Sequence, residues 1–261
     1  MTDAAAAASP LQVALIPVLR DNYVFVAHNG RQALVVDPAV CEPVVEWLEQ
    51  RQLTPVVVLH THHHHDHIGG TAGLLQRWPD LAVLAAAEER ERIPLQTDGL
   101  VDGDRRRWLG HEVVVLAVPG HTRSHLAFHV PATGREPGEL FCGDALFGGG
   151  CGRLFEGTPE QMLHSLRRLA ALPPDTRVWC AHEYTEANLQ WAAECAPQDG
   201  AIGERLRQVR ERRALGEPTL PSTIGLERAT NLFVRAADAA ELARLRQHKD
   251  HWVPLSPMPA A

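Results

Sequence analysis

No stretch of this sequence stays apolar for anything near the ~20 residues that cross a bilayer; runs such as residues 113–118, VVVLAV, are far shorter, so a membrane-spanning helix is excluded. Positive charge is in short supply. The 25 basic residues fall below the 32 acidic ones and leave a net charge of −7, whereas nucleic-acid binders carry a net basic face, so steering towards phosphate is excluded as a main activity. Paired cysteines are missing as well. Cys41, Cys142, Cys151, Cys180 and Cys195 are odd in number and scattered without CxxC spacing, which suits reduced thiols and excludes a disulfide scaffold. Lysine is nearly absent: Lys249 is the only one, and arginine supplies the other 24 cations. The opening MTDAAAAASP has no Lys or Arg before Arg20 and no long apolar segment, so a secretion signal is not expected and a cytoplasmic location is. What remains is ordinary soluble usage, 45% hydrophobic and 22% charged over 261 residues, enough for one large or two modest domains.

From residue 11 to about residue 182, short β-rich runs alternate with turn signals: LQVALIPVL, YVFVAH, QALVVDP, PVVVLHTH, LAVLAAA, HEVVVLAVPGH, LAFHVPA, ELFCGDAL and RVWCAHEY. Helical periodicity lies between them at 43–51, 70–78 and 159–171, the last with Leu163, Leu166 and Leu169 on one face and Pro159 near its start. After Tyr184 the strand signals cease, and 186–195, 202–215 and 238–250 read as amphipathic helices. The expectation is a mixed α/β domain over 1–183 followed by a helical domain over 184–261. The basic run ERLRQVRERR, residues 204–213, reads as a solvated helix face.

Six of the 15 histidines crowd between His60 and His67, directly after the apolar strand PVVVL. Imidazole and carboxylate are ligands for zinc, iron and manganese alike, and a cluster just beyond a strand end is held rigid by the sheet beneath it. His62, His64, Asp66 and His67 make the pattern HxHxDH. In an extended turn alternate residues point the same way, so His62 and His64 can share one metal while Asp66 and His67 face another, and His63 and His65 point elsewhere. A tract of histidines that chelates adventitiously is the plainer alternative, but the intervening Asp and the following Gly69-Gly70 speak against it. Two metals need further ligands, and later strand ends offer His121, Asp144 and His182. Singly, each has a plain reading as a surface His or a turn-forming Asp; together with HxHxDH the coincidence is hard to dismiss. Cys142, two residues before Asp144, reads as a small buried hydrophobe rather than a nucleophile.

THHHHDHIGG, PGHTRSH, CGDALF and AHEYT together resemble the four metal motifs of the metallo-β-lactamase superfamily in its glyoxalase II branch, the hydroxyacylglutathione hydrolases. HxHxDH alone indicates the superfamily; the other motifs, with DNYVFV at 21–26 and RQHKD at 246–250, indicate the branch. The resemblance implies an αββα sandwich followed by a small helical domain, and a binuclear centre of two divalent ions, zinc foremost with iron or manganese as alternatives. It implies that His62, His64 and His121 hold one metal, that Asp66, His67 and His182 hold the other, and that Asp144 bridges them. It also implies glutathione contacts at Arg153, Phe155, Tyr184, Arg246 and Lys249. Here Arg153 stands where the family usually has Lys and Phe155 where it often has Tyr, so one hydroxyl donor is lost. Arg246 and Lys249, spaced i,i+3, can reach one carboxylate; cations offsetting a helix C-terminal dipole are the plainer reading. Two further departures, His65 where an aromatic is common and Ser124 where Gly is common, remove no ligand.

The activity so implied is hydrolysis of S-(2-hydroxyacyl)glutathione, such as S-D-lactoylglutathione, to glutathione and a 2-hydroxy acid, the second step of methylglyoxal detoxification. Metal coordination lowers the pKa of water towards ~7, so no serine or cysteine nucleophile is needed. Asp66 could orient that nucleophile and Asp144 would hold the metal pair together. A thiolate of pKa near ~8.5 leaves without obligatory protonation. The expected partner is a small-molecule thioester, with no nucleic acid, no membrane and a monomeric chain. Rival readings are a one-iron glutathione persulfide dioxygenase, a lactonase or nuclease of the same superfamily, and a non-catalytic metal-binding module on the same fold.

Overall fold

The computed structural model describes residues 9–134 and 136–253; the alanine run at 4–8 lies outside them. The first sheet has six strands in chain order: β1 (Gln12–Val18), β2 (Asn22–His28), β3 (Gln32–Val36), β4 (Thr54–Leu59), β5 (Ala82–Ala86) and β6 (Asp98–Leu100). β1 to β3 pair antiparallel, and β3 to β6 pair parallel through crossovers that contain α1 (Glu42–Gln50), α2 (His65–Ile68) and α3 (Thr71–Arg77). The second half adds β7 (Arg105–Trp108), β8 (His111–Ala117), β9 (Leu126–Val130), β10 (Glu139–Gly143), the hairpin β11 (Leu146–Phe147) and β12 (Gly150–Cys151), then α4 (Pro159–Ala170), β13 (Arg177–Cys180), α5 (Thr185–Cys195), α6 (Gly200–Ala214), β14 (Ser222–Thr223), α7 (Ile224–Thr230) and α8 (Ala239–His251). Its sheet runs β14-β13-β10-β9-β8-β7.

The strands of the first sheet are apolar on both faces, and the period-two geometry of a strand sorts them. Tyr23, Phe25 and Ala27 of β2, with Leu34, Val36, Val57 and Leu59, point into the space between the sheets. Val24, Val26, Ala33, Val35 and Val58 point outward, where Val44 and Leu48 of α1 and Leu74 of α3 cover them. The spacing of Leu163, Leu166 and Leu169 in α4 buries the same face of that helix against the second sheet's side, and a capping box between Thr158 and Gln161 starts it. The layers are therefore helix, sheet, sheet, helix, as the resemblance implies.

Two expectations need correction. Strand pairing does not cease after Tyr184: Ser222 and Thr223 pair with Val178 and Arg177, so the helical region closes one edge of the second sheet. The run 204–213 is not wholly a solvated face either. Arg207 does lie outside with Glu204 and Glu211, but Arg205 is buried and bonded to Glu227, Ser222 and Thr230 at 2.6, 3.0 and 2.6 Å. A buried guanidinium needs such a saturated partner set, because desolvation otherwise outweighs its gain.

Candidate metal centre

Four strands running in the same sense within their sheets, β4 in one and β8, β10 and β13 in the other, end at one edge of the sandwich. The segments that follow them carry His62 to His67, His121, Asp144 and His182. His64 is extended and its Nδ1 meets His62 Nε2, but His65–Ile68 winds into the helical turn α2. Asp66 and His67 therefore reach the site from a helical turn rather than by strand alternation. His65 is exposed, and His63 turns to Glu89, Arg92 and Glu156.

The side chains form overlapping triads whose ligand atoms lie within 4.8 Å of one another: His62, His64 and His121; His62, His67 and Asp144; Asp66, His67 and His182. His64 Nδ1 sits 3.0 Å from His62 Nε2 and 3.1 Å from His121 Nε2. Asp144 spans both halves, with Oδ2 3.4 Å from His121 Nε2 and Oδ1 3.5 Å from both His67 Nε2 and His182 Nε2. His182 Nε2 is also 3.5 Å from Asp66 Oδ2. Gly143 precedes Asp144 at φ +48°, where an added Cβ would lie 2.3 Å from Thr61 Oγ1. Only glycine fits that turn.

Three of the rings are fixed from behind. His67 Nδ1 lies 3.0 Å from Asp37 Oδ2, His182 Nδ1 2.8 Å from Asp21 Oδ1, and His121 Nδ1 donates to the Arg153 carbonyl at 2.9 Å. Asp37 also accepts from Thr61 N at 2.8 Å and Thr61 Oγ1 at 2.6 Å, from a backbone held at φ 51°. Asn22 Nδ2 donates to Asp66 Oδ2 at 3.1 Å, and the Asp144 amide donates to His125 Nε2 at 3.2 Å, the His125 ring stacking on His62. Such partners set the tautomer and aim the free nitrogen inward. Asp21, Asn22, Asp37, Thr61 and His125 were not singled out from the sequence, although Asp37 follows strand β3 in VVDP and His125 closes PGHTRSH.

These residues fit metal. The His67 Nε2 and Asp144 Oδ1 atoms are buried without a hydrogen-bond partner, a costly state that coordination would relieve. Burial and the crowd of neighbouring rings push His62 well below the ordinary imidazole pKa and His64 to about 4, which leaves lone pairs available. In the other half burial opposes charge, but hydrogen bonding and Coulombic attraction from Asp144 and Asp21 lift His182 to about 9, so the carboxylates there call for positive charge.

Beside the centre opens a cleft of about 440 Å³ that brings together Arg153, Phe155, Tyr184, Arg246 and Lys249 with His121 and Asp144. Tyr184 stacks on His182 with ring centroids 4.7 Å apart. Arg246 is buried, its Nη1 donating to the Cys151 carbonyl at 2.9 Å and its Nε and Nη2 facing Asp250 at 3.0 and 2.9 Å. Lys249 Nζ donates to the Ala187 carbonyl at 3.1 Å and lies 4.2 Å from the Trp252 ring centre. Burial, then Arg246, lowers its pKa to about 7. All five cysteines are free, and Cys142 is buried, its thiol donating to the Leu146 carbonyl.

Residues 17–182 match the family model of the metallo-β-lactamase superfamily, and residues 183–252 match that of the hydroxyacylglutathione hydrolase C-terminus. The chain is 57% identical over 241 residues to a hydroxyacylglutathione hydrolase of Parasynechococcus marenigrum (strain WH8102), covering 91% of this chain and 96% of that one. To the one of Prochlorococcus marinus (strain MIT 9303) it is 56% identical, covering 91% and 92%. Among solved structures, ETHE1 from Myxococcus xanthus shares the fold at 23% identity and a TM-score of 0.66, covering 94% of this chain and 93% of that one. TTHA1623, solved in a di-iron-bound form, is similar at 26% identity and a TM-score of 0.59, covering 84% and 98%. A sandwich with converging His and Asp triads, two family models placed end to end and relatives matched over nearly their full length lead to one conclusion: this chain belongs to the hydroxyacylglutathione hydrolase family of the metallo-β-lactamase superfamily.

Proposed function

We propose that the protein hydrolyses S-(2-hydroxyacyl)glutathione thioesters, S-D-lactoylglutathione among them, to glutathione and the 2-hydroxy acid. The observation that carries this is the adjacency of overlapping ligand triads, with Asp144 facing both halves, to a cleft lined by Arg153, Tyr184 and Lys249. His62, His64 and His121 would hold one divalent ion, Asp66, His67 and His182 the second, with Asp144 common to both. Zinc suits the His/Asp set, and iron is the metal of the solved relative TTHA1623. When bound, such ions supply Lewis acidity and a water acidic enough to attack at neutral pH.

The chain's own groups do the rest. Burial, with Asp21 and Asp144 nearby, pushes the Tyr184 phenol up, so it stays a neutral donor at the cleft wall. Phe155 stands edge-on to His121 and His64 at 5.2 and 5.8 Å and shields the metal end. Arg153 and Lys249 offer positive charge to the carboxylates of glutathione. The departing thiolate needs no acid. A monomeric, cytoplasmic enzyme is the proposed setting; no helix among the described residues is long and apolar enough to cross a membrane. Metal analysis followed by a thioester assay tests the whole reading: close to two equivalents and glutathione release support it, whereas one iron with oxygen consumption in place of hydrolysis refutes it.

Lys249 carries a pH dependence. Its amine is charged below about 7 and neutral above, so KM is expected to be flat at low pH and to climb as pH rises through 7 and beyond. Lys249→Ala should raise KM about tenfold at pH 6.5, the worth of a charge-assisted hydrogen bond of about 1.5 kcal/mol, and should flatten the profile. A contact remote from the reacting atoms acts on KM more than kcat. A parent-like KM profile in Lys249→Ala would remove the lysine from substrate recognition.

His65 provides the control for ligand register. His65→Ala should keep the full metal complement, while His64→Ala should lose about one equivalent by elemental analysis. The reverse pattern would show that the register is wrong.

A further inference from the structure

Outside the ligand triads, one cluster of charged groups at the mouth of the site has no part in the chemistry above. Glu89, on the turn after β5, is almost fully buried, and Arg92 faces it through Nη2 at 2.5 Å. Arg92 Nη1 donates to Glu156 Oε1 at 2.6 Å and lies 3.2 Å from His63 Nε2. The other oxygen of Glu156 accepts from the Arg123 amide at 2.9 Å. Glu156 N and Gly157 N donate to the carbonyls of His121 and Gly120 at 3.3 and 3.0 Å. One guanidinium therefore ties the turn after β5, the HxH segment and residues 152–157 together. That last stretch presents the Arg153 carbonyl to His121 and carries Phe155, 62% exposed, across the cleft. Phe155 meets the rings of His121 and His64 edge-on and is otherwise open to solvent, so its place depends largely on the backbone that carries it.

We infer that Arg92 and Glu156 form a clamp of positioning residues that holds residues 152–157 over His121 and so keeps Phe155 at the metal end of the cleft. The clamp touches no reacting atom. It rests on the thioester-hydrolase reading only for its kinetic consequence; its structural consequence, a locked backbone around Arg153, stands independently.

Trypsin provides that independent readout, because the 153–154 bond follows an arginine and cleavage requires local opening. In Arg92→Gln, cleavage after Arg153, followed by mass spectrometry, should accelerate about tenfold or more relative to cleavage after the other arginines, while metal content matches the parent and Tm falls, because buried Glu89 loses its cation. Glu156→Gln, which keeps the size and shape of the side chain, should accelerate it less. With a 2-hydroxyacylglutathione as substrate, Arg92→Gln should raise KM roughly three- to tenfold. In a Phe155→Ala background the same substitution should add less than about twofold, since the residue through which it acts is gone. Parent-like proteolysis in both variants overturns the clamp. So does a KM effect that persists in full without Phe155, or one that tracks loss of metal. If the parent hydrolyses no glutathione thioester, the functional reading fails, and the proteolysis still decides the clamp.

Discussion

Asp144→Ala is expected to hold at most one of two metal equivalents and to lose at least about a thousandfold in turnover, because Lewis-acid stabilisation is worth several kcal/mol and each ~1.4 kcal/mol is tenfold. The reason is geometric. Its two oxygens face different halves of the centre, Oδ2 towards His121 and Oδ1 towards His67 and His182. Two divalent cations on neighbouring ligand sets repel with four times the energy of unit charges at the same separation, and only a shared anion offsets that. The fold should survive, since Asp144 Oδ1 has no hydrogen-bond partner to lose and the backbone amide keeps its bond to His125. Circular dichroism checks the fold, elemental analysis the metal, and a thioester assay the turnover. Two equivalents with undiminished turnover would refute the bridging role.

The second large effect is expected one layer further out, at Asp37. Its carboxylate accepts from the Thr61 amide and hydroxyl and faces the His67 ring, all buried. Asp37→Ala frees that ring and strands two polar groups, the Thr61 amide and His67 Nδ1, while the Thr61 hydroxyl keeps His62 Nδ1 at 3.0 Å. Metal affinity should fall about 10- to 100-fold, the usual consequence of losing such a support. Stability should fall by about 1–3 kcal/mol for each group left unsatisfied, and Ala is also a poorer fit than Asp at φ 51°. Asp37→Asn separates the two effects: asparagine tolerates the left-handed conformation and can still accept a bond, so Tm should largely recover while metal affinity stays reduced. Chelator competition measures the affinity. Parent-like retention of metal in Asp37→Ala would show that His67 does not need this partner.

The strands were legible in the sequence as short apolar runs bounded by turn residues. The two faces of β2 were not, because Tyr23, Val24, Phe25 and Val26 are all apolar and only the packing sends Tyr23 and Phe25 to one cluster and Val24 and Val26 to the other. Weak elements were not legible. β7 reads RRRW, charged and at a sheet edge, and β14 is two residues long, so neither carries a hydrophobic pattern. The turn α2 escaped for another reason: HDHI is too short for helical periodicity to register.

For the site, the sequence by itself picked out the candidate donors. Histidines crowded behind a strand, an Asp among them and isolated His and Asp at later strand ends do so through residue type and strand position, and the resemblance divides them between two ions. Only the tertiary structure decided which groups stand behind those donors. Asp37 with His67, Asp21 with His182, Arg153 with His121 and Arg92 with Glu156 are separated by 30, 161, 32 and 64 positions. No local periodicity links residues so far apart. Their pairing follows from strand order across two sheets, and at the three histidines the low dielectric of the buried edge then makes the hydrogen bond strong enough to fix the ring.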